Sequence, residues 1–201
     1  MPARLRQESG PAGAVLGLIE QTIAAGVDLI QIRERDLATR ELLTLVEAAV
    51  ARARGTGTRI LVNDRLDVAV AAGADGVHLP THGFPVADVR REYPHLLIGA
   101  SCHNLEEARR AEEGGADFVV FGPVYETPAK KPYGPPVGVE KLGEAVRAAK
   151  IPVLALGGIK LENAGACLQA GAAGLAAISL FQTSGDLRET VRRLRAAGGK
   201  E

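Results

Sequence analysis

Tryptophan is absent from this sequence, and aromatic residues together make up 3% of it. Platforms that stack single-stranded nucleic acid need several exposed rings, so that class of partner is excluded. A basic excess is missing as well: 24 Lys and Arg side chains stand against 24 Asp and Glu, for a formal net charge of zero. Binding to a phosphate backbone depends on such an excess, so no nucleic-acid partner is expected. No apolar run reaches the roughly 18 residues that span a bilayer, and no membrane partner is expected either. The opening MPARLRQESG has no apolar signal-peptide core, which points to a cytoplasmic chain. The two cysteines, Cys102 and Cys167, lack metal-ligand spacing and are expected to be reduced thiols. The dinucleotide fingerprint G-x-G-x-x-G is also missing; GTGTR at 55–59 precedes a strand pattern and has no third glycine.

What is present is a repeat. AGVDLI (25–30), AGADGV (72–77), GGADFV (114–119) and AGAAGL (170–175) each follow an Ala-rich helical pattern and lead into an apolar run. This predicts a helix closed by a left-handed glycine, then immediate entry into a strand. The strand candidates VDLIQIR, RILVND, GVHLP, LLIGASCH, FVVFGPV, PVLALGG and GLAAISLF are almost continuously apolar. Continuous apolarity means burial on both faces, as in a parallel sheet covered by helices. Helical patterns lie between them, among them RELLTLVEAAVARAR, VADVRREY and NLEEARRAEEGG, the last with Asn104 as its N-cap. Strand–helix alternation at this pace predicts an α/β fold, a (β/α)₈ TIM barrel forming one domain over residues 1–201. An eighth strand, the first in the chain, would lie in the weakly patterned ARLRQES. The C-terminal RAAGGKE is expected to fray.

Active sites of such barrels are built from strand C-termini and the loops that follow. Polar residues collect there: Gln31, Arg33, Glu34 and Arg35; Asn63 and Asp64; His78, Thr81 and His82; Ser101 and His103; Thr127, Lys130 and Lys131; Gly157 and Gly158; Ser179. Each has a plainer structural reading. Arg33 and Glu34 could form a rim ion pair, Asp64 could cap the next helix, and His78 reads as a satisfied histidine inside an apolar strand. Cys102 should face away from His103, which argues against a Cys–His nucleophile. The loop 125–136 holds four prolines and two adjacent lysines, long enough in a compact domain to suggest function. Gly157–Gly158 with Ser179 suggests a phosphate cradle, and the basic residues suggest a second anion.

In order along the chain, QIRERD, VNDRLDVAVAAGADGVHL, IGASCH, FGPVYETPAKKPYGPPVG, ALGGI and AISLF resemble the thiamine phosphate synthase/TenI family. The resemblance implies a (β/α)₈ barrel and two branches of activity. Synthases join hydroxymethylpyrimidine diphosphate to a thiazole phosphate and release diphosphate; the TenI branch holds thiazole tautomerases and proteins described as regulators. The substrates are small phosphorylated heterocycles, and the family often forms dimers, so a homodimer is the assembly to test. By resemblance, Gln31, Arg33 and Arg35 line the pyrimidine-diphosphate side. Asn63, Ser101 and Lys130 match diphosphate contacts, and Asp64 matches a Mg²⁺ ligand. Thr127, Gly158 with its neighbour Gly157, Ile178 and Ser179 match the thiazole-phosphate pocket. Lys130, Arg33, Ser101 and His103 are the candidates for catalysis.

Three departures stand out. The synthase pattern H-V-G-Q-E-D-L-P supplies a second metal-binding Asp, whereas HLPTHGFP places Gly83 there, so Mg²⁺ binding is expected to be weakened. Arg35 replaces a lysine, and Ala129 replaces a hydroxyl residue. The tautomerase stretch G-H-V-F-E-T carries a catalytic histidine, but GPVYET has Pro123 in its place. A tautomerase would need another base, His82 or His103. The expected function is therefore a synthase-type transferase, with a TenI-like tautomerase or a non-catalytic phosphate-ligand-binding protein as alternatives.

Overall fold

The computed structural model describes residues 11–127 and 135–199. The expected first strand in ARLRQES lies outside the described residues, as do Lys130 and Lys131. Among the described residues helices and strands alternate in an α/β, TIM-barrel-like topology, with seven strands hydrogen-bonded in chain order. No described helix is long and apolar enough to cross a membrane. The chain divides into two compact units at Val77 and His78.

The first unit holds α1 (Pro11–Ala24), β1 (Leu29–Ile32), α2 (Thr39–Ala53), β2 (Arg59–Asn63), α3 (Leu66–Ala71) and the start of β3 (Gly76–Leu79). β1 runs parallel to β2, with Leu29 opposite Arg59 and Ile32 opposite Val62. Leu42, Leu45, Val46 and Ala49 recur at helical spacing in α2, and all are buried, with Ile60, Leu61 and Val62 of β2. Glu41 accepts a hydrogen bond from the Ala38 N–H at 3.0 Å and so caps the start of α2.

The second unit carries α4 (Val86–Glu92), β4 (Leu97–Cys102), α5 (Leu105–Glu113), β5 (Phe118–Phe121), α6 (Gly138–Ala148), β6 (Val153–Leu156), α7 (Ala164–Gln169), β7 (Gly174–Ala176), α8 (Ser179–Gln182) and α9 (Leu187–Ala197). β4 through β7 pair in parallel, each with the next. Their shared core includes Val119, Phe121, Leu142, Ala155 and Cys167. Asn104 caps α5 as expected, its side chain accepting from the Glu107 N–H at 2.9 Å.

One expectation is corrected. GLAAISLF is not one strand: β7 ends at Ala176 and residues 179–182 turn into the short helix α8. The apolar run continues, but its backbone bonds close locally, from Gln182 N–H to the Ile178 carbonyl. In RAAGGKE, residues 195–197 belong to α9, which extends to Ala197, is held by buried Leu187, Thr190 and Val191 and is capped by Asp186 at the Glu189 N–H; Lys200 and Glu201 lie outside the described residues.

The repeated glycines behave as one device. Gly26, Gly73, Gly115 and Gly171 all have positive φ, between 64° and 96°. After each, the next residue's N–H reaches back five residues, as from Ala74 to Ala69 and from Ala116 to Ala111, both 2.9 Å. These are Schellman closures, and the glycine supplies the left-handed step that a Cβ would oppose. The following strand begins three residues after the glycine in every copy. Asp75 and Asp117 then fasten two of these strands to the one before. Asp75 donates its N–H to the Ile60 carbonyl and accepts the Ile60 N–H on its carboxylate; Asp117 does the same with Ile98. Arg59 and Arg90 complete these clamps, and Arg90 also donates to the Pro94, Leu96 and Gly115 carbonyls.

Asp117→Ala removes the carboxylate from the Ile98 amide and from Arg90. Because hydrogen bonds to charged groups contribute more than neutral ones, the variant should lose about 2 kcal/mol of stability. Urea unfolding measures it, and an unchanged midpoint would show that the clamp contributes nothing.

Candidate functional site

In the first unit the strand ends bring Gln31 and Asn63 together: the Gln31 amide Nε2 donates to Asn63 Oδ1 at 2.9 Å. The next residue, Asp64, is the one non-glycine residue with positive φ among the described residues, at 63°. The Arg65 N–H bonds back over it to the Asn63 carbonyl at 2.7 Å. This is a γ-turn of the positive-φ kind, a strained conformation that persists only where its surroundings enforce it. Arg65 supplies part of that enforcement. Its guanidinium grips both carboxylate oxygens of Asp67, at 2.8 and 2.6 Å, and donates to Thr39 at 3.2 Å. The hydrogen bond from Arg65 holds the Asp67 carboxyl below its ordinary range.

The plainer readings of two residues fail here. Asp64 does not cap α3, whose N-cap is Arg65 and whose start has no side-chain cap. Its carboxylate forms no hydrogen bond among the described residues and is exposed. Arg33 and Glu34 form no ion pair among the described residues; Arg33 and Arg35 are both exposed beyond β1. The strain at Asp64 was invisible in sequence, because the same N-D-R triplet would read as an ordinary helix start.

In the second unit His78 is buried, 3% exposed, and its Nε2 lies 2.8 Å from Ser101 Oγ. A Cβ at Gly99 would stand 2.8 Å from His78 Nδ1, so the glycine leaves room for the ring. Burial pushes the imidazole pKa down to about 4, leaving it neutral. It therefore fixes the Ser101 hydroxyl without adding charge. His103 takes another role: its N–H and its Nδ1 meet Glu107 Oε2 at 2.7 and 3.1 Å, and Thr81 Oγ1 lies 3.3 Å from Nδ1. Burial raises the Glu107 pKa, but its bonds with His103 and Asn104 outweigh that and hold the carboxyl low. His103 thus sits in the cap of α5. Burial pushes Cys102 up to about 12 and raises Cys167, so neither thiol is an ionised nucleophile at neutral pH. His82 is exposed, and Gly83 lies in a turn closed on the Pro80 carbonyl. The nearest carboxylate beyond that turn, Asp88, is taken by Arg91.

The Gly157–Gly158 turn follows β6 with φ of 101° and 63°. The segment after β5 presses onto it: Val124 and Tyr125 donate their N–H groups to the Leu156 and Gly157 carbonyls. Added Cβ atoms would fall 2.5 Å from Pro123 and 2.7 Å from the Tyr125 Cβ. The carbonyls are thereby committed to protein, while the Gly157 and Gly158 N–H groups meet no acceptor among the described residues. Unpaired N–H groups in a turn of this kind suit an anion. Thr127 follows in the same post-β5 segment, half-buried, and Ile178, 60% exposed, precedes Ser179 at the start of α8. Sequence reading passed over Glu107 and Asn163 here; both sit near strand ends, but neither has a motif of its own.

Two outcomes are expected. The unfolded chain protonates His78 near its ordinary 6.5 and the folded one near 4, so the unfolded state binds more protons in that window and stability falls as pH drops through it. This one group should account for about 3 kcal/mol lost by pH 4. Unfolding curves across pH for the parent and His78→Gln should differ by that amount; superimposable pH profiles would remove His78 from the account. Secondly, Asp64→Gly should relieve the γ-turn and gain up to about 1 kcal/mol in stability while activity falls. A variant that keeps full activity would show that the strained carboxylate has no role.

Residues 6–181 match the model of the family described as thiamine monophosphate synthase. A relative from Geobacter sulfurreducens is 48% identical over 184 residues, covering 90% of this chain and 86% of its own. The thiamine-phosphate synthase of Methanoculleus marisnigri is 42% identical over 173 residues, covering 86% and 82%. Among solved structures, thiamine phosphate pyrophosphorylase from Pyrococcus furiosus aligns with a TM-score of 0.84 at 34% identity, over 96% of this chain and 92% of that one. A 3-hexulose-6-phosphate synthase, at 22% identity and a TM-score of 0.67 over 92% and 94%, shares the fold alone. With a family match over most of its length and relatives this similar, the chain belongs to the thiamine monophosphate synthase family.

Proposed function

We propose that this chain is a thiamine-phosphate-synthase-type transferase. It joins a hydroxymethylpyrimidine diphosphate to a thiazole phosphate and releases diphosphate. Membership of the family supports the reaction class. The observation on this chain that carries the reading is Asp64: an aspartate kept at φ 63°, beside Asn63, with its carboxylate free of hydrogen bonds among the described residues. A strained residue with an exposed carboxylate free of hydrogen bonds is what a functional site retains and a merely structural turn does not need.

The chemistry sets what the residues must do. The bond from the pyrimidine methylene to the diphosphate oxygen breaks, the thiazole nitrogen forms the new C–N bond, and negative charge develops on the departing diphosphate. Groups aimed at that charge lower the barrier most. Gln31, Arg33, Arg35 and Asn63 serve the pyrimidine-diphosphate side, and Ser101, fixed by neutral His78, offers its hydroxyl to the diphosphate. Lys130, outside the described residues, is assigned the developing charge by its place in the family motif. The Gly157–Gly158 turn, Thr127, Ile178 and Ser179 hold the thiazole phosphate.

Mg²⁺ fits this donor set in a restricted way. It is commonly bound through one or two carboxylates, with substrate phosphates and water completing the shell. Asp64 is one uncommitted carboxylate; Gly83 offers none, and the described residues contain no group of three His, Cys, Asp or Glu side chains that could cage an ion. Asp64 would hold the ion and the diphosphate would complete its shell. When bound, it neutralises leaving-group charge. A tautomerase would need a base other than Pro123, which has no proton to move; His103 is bound into the α5 cap, which leaves exposed His82 as the base to test for that reading.

The test is thiamine phosphate formation by the purified protein across a Mg²⁺ titration. The parent should form product that saturates at high Mg²⁺. Asp64→Asn should lower kcat/KM about a hundredfold, with part of the loss recovered by more Mg²⁺. No product from the folded parent at any Mg²⁺ concentration would overturn the proposal.

A further inference from the structure

Asn163 occupies the N-cap position of α7 but does no capping. An asparagine there ordinarily accepts a hydrogen bond from the N–H two or three residues on; this one makes no such bond. Its side chain turns back instead. The amide Nδ2 donates to the Gly158 carbonyl at 2.9 Å, and Oδ1 accepts the Lys160 N–H at 2.7 Å. Its own carbonyl accepts from the Tyr125 hydroxyl at 3.1 Å, and that hydroxyl also meets Cys167 Sγ at 3.7 Å. Tyr125 in turn donates its N–H to Gly157. Every carbonyl from Leu156 to Gly158 is thus held by a named donor: Val124, Tyr125 and Asn163. Each carbonyl shares a rigid peptide plane with the next residue's N–H, so Val124, Tyr125 and Asn163 fix the directions of the Gly157, Gly158 and Ile159 N–H groups in turn, and none of these meets an acceptor among the described residues.

We infer that Asn163 is a positioning residue for anion binding: by holding the Gly158 carbonyl, it aims the Ile159 N–H, the third in the run of unpaired backbone donors that begins at Gly157 and Gly158, at a phosphate. The inference rests on the reading of that turn as the phosphate cradle. Releasing the carbonyl lets the Gly158–Ile159 peptide turn about the glycine, which has wide conformational freedom at φ 63°, and the Ile159 N–H samples directions that do not bind. The cost then falls on phosphate affinity rather than on the chemical step, because Asn163 touches no reacting atom.

The experiment uses two variants. Asn163→Ala removes both side-chain bonds. Asn163→Ser restores an ordinary cap for α7 but is too short to reach the Gly158 carbonyl, so it preserves the helix while releasing the peptide. Inorganic phosphate is titrated against isotope-labelled parent and variants, following the amide resonances of Gly157, Gly158 and Ile159. The parent should show saturable shifts of these amides; both variants should bind phosphate about tenfold more weakly, the loss of one well-placed hydrogen bond's worth of order. In turnover assays the KM for thiazole phosphate should rise by a similar factor, with the KM for the pyrimidine diphosphate and kcat within about twofold. Phosphate binding and KM unchanged in Asn163→Ser would overturn the inference, as would a parent whose Ile159 amide ignores phosphate. A parent that makes no thiamine phosphate but loses phosphate affinity on Asn163→Ser would sustain the cradle while ending the synthase reading.

Discussion

A left-handed glycine, placed three residues before a strand, is the constraint on which the rest depends. It closes the helix with two backbone bonds and reverses the chain so tightly that the next strand's starting point is fixed. In two of the four copies an aspartate then grips the neighbouring strand at both N–H and carboxylate. The four glycines precede β1, β3, β5 and β7, while Asn63, Ser101 and Gly157 stand at the ends of β2, β4 and β6; Asp75 and Asp117 tie the starts of the glycine-led β3 and β5 to β2 and β4.

The second recurring feature is commitment of polar groups. His78 is neutral and spent on Ser101, Arg65 on Asp67 and Thr39, Arg90 on three carbonyls and Asp117, and Glu107 on the start of α5. What remains uncommitted among the described residues stands out: the Asp64 carboxylate, the exposed Arg33 and Arg35, and two glycine N–H groups. One is an anion suited to a cation, and the others are donors suited to phosphates. The two thiols are held protonated by burial and belong to neither group.

Positive φ is used in two ways in this molecule. At the four repeat glycines it costs little and serves folding. At Asp64 it carries a Cβ, and at Gly157–Gly158 it brings the backbone against Pro123 and Tyr125 so closely that no side chain could be accommodated. The first use is legible from spacing alone, since the A-G-x-D pattern recurs. The second is not, because neither N-D-R nor L-G-G differs locally from sequences that make ordinary turns.

The sequence by itself determined the alternation of helices and buried strands, the positions of the helix-ending glycines, the Asn104 cap and the family motifs, because periodicity and glycine placement act over a few residues. It also marked Gly83 as a gap in the expected metal ligands, and nothing in the surrounding turn replaces that carboxylate. Only the tertiary structure decided that His78 serves Ser101, that His103 belongs to a helix cap, that Asp64 is strained and not a cap, and that residues 179–182 coil into a helix. Asn163 belongs with these: five residues separate it from Gly158, and its side chain has a local use available that the fold declines. Where the partner comes from elsewhere in the chain, as Ser101 does for His78, the proximity exists only once the strands are in place.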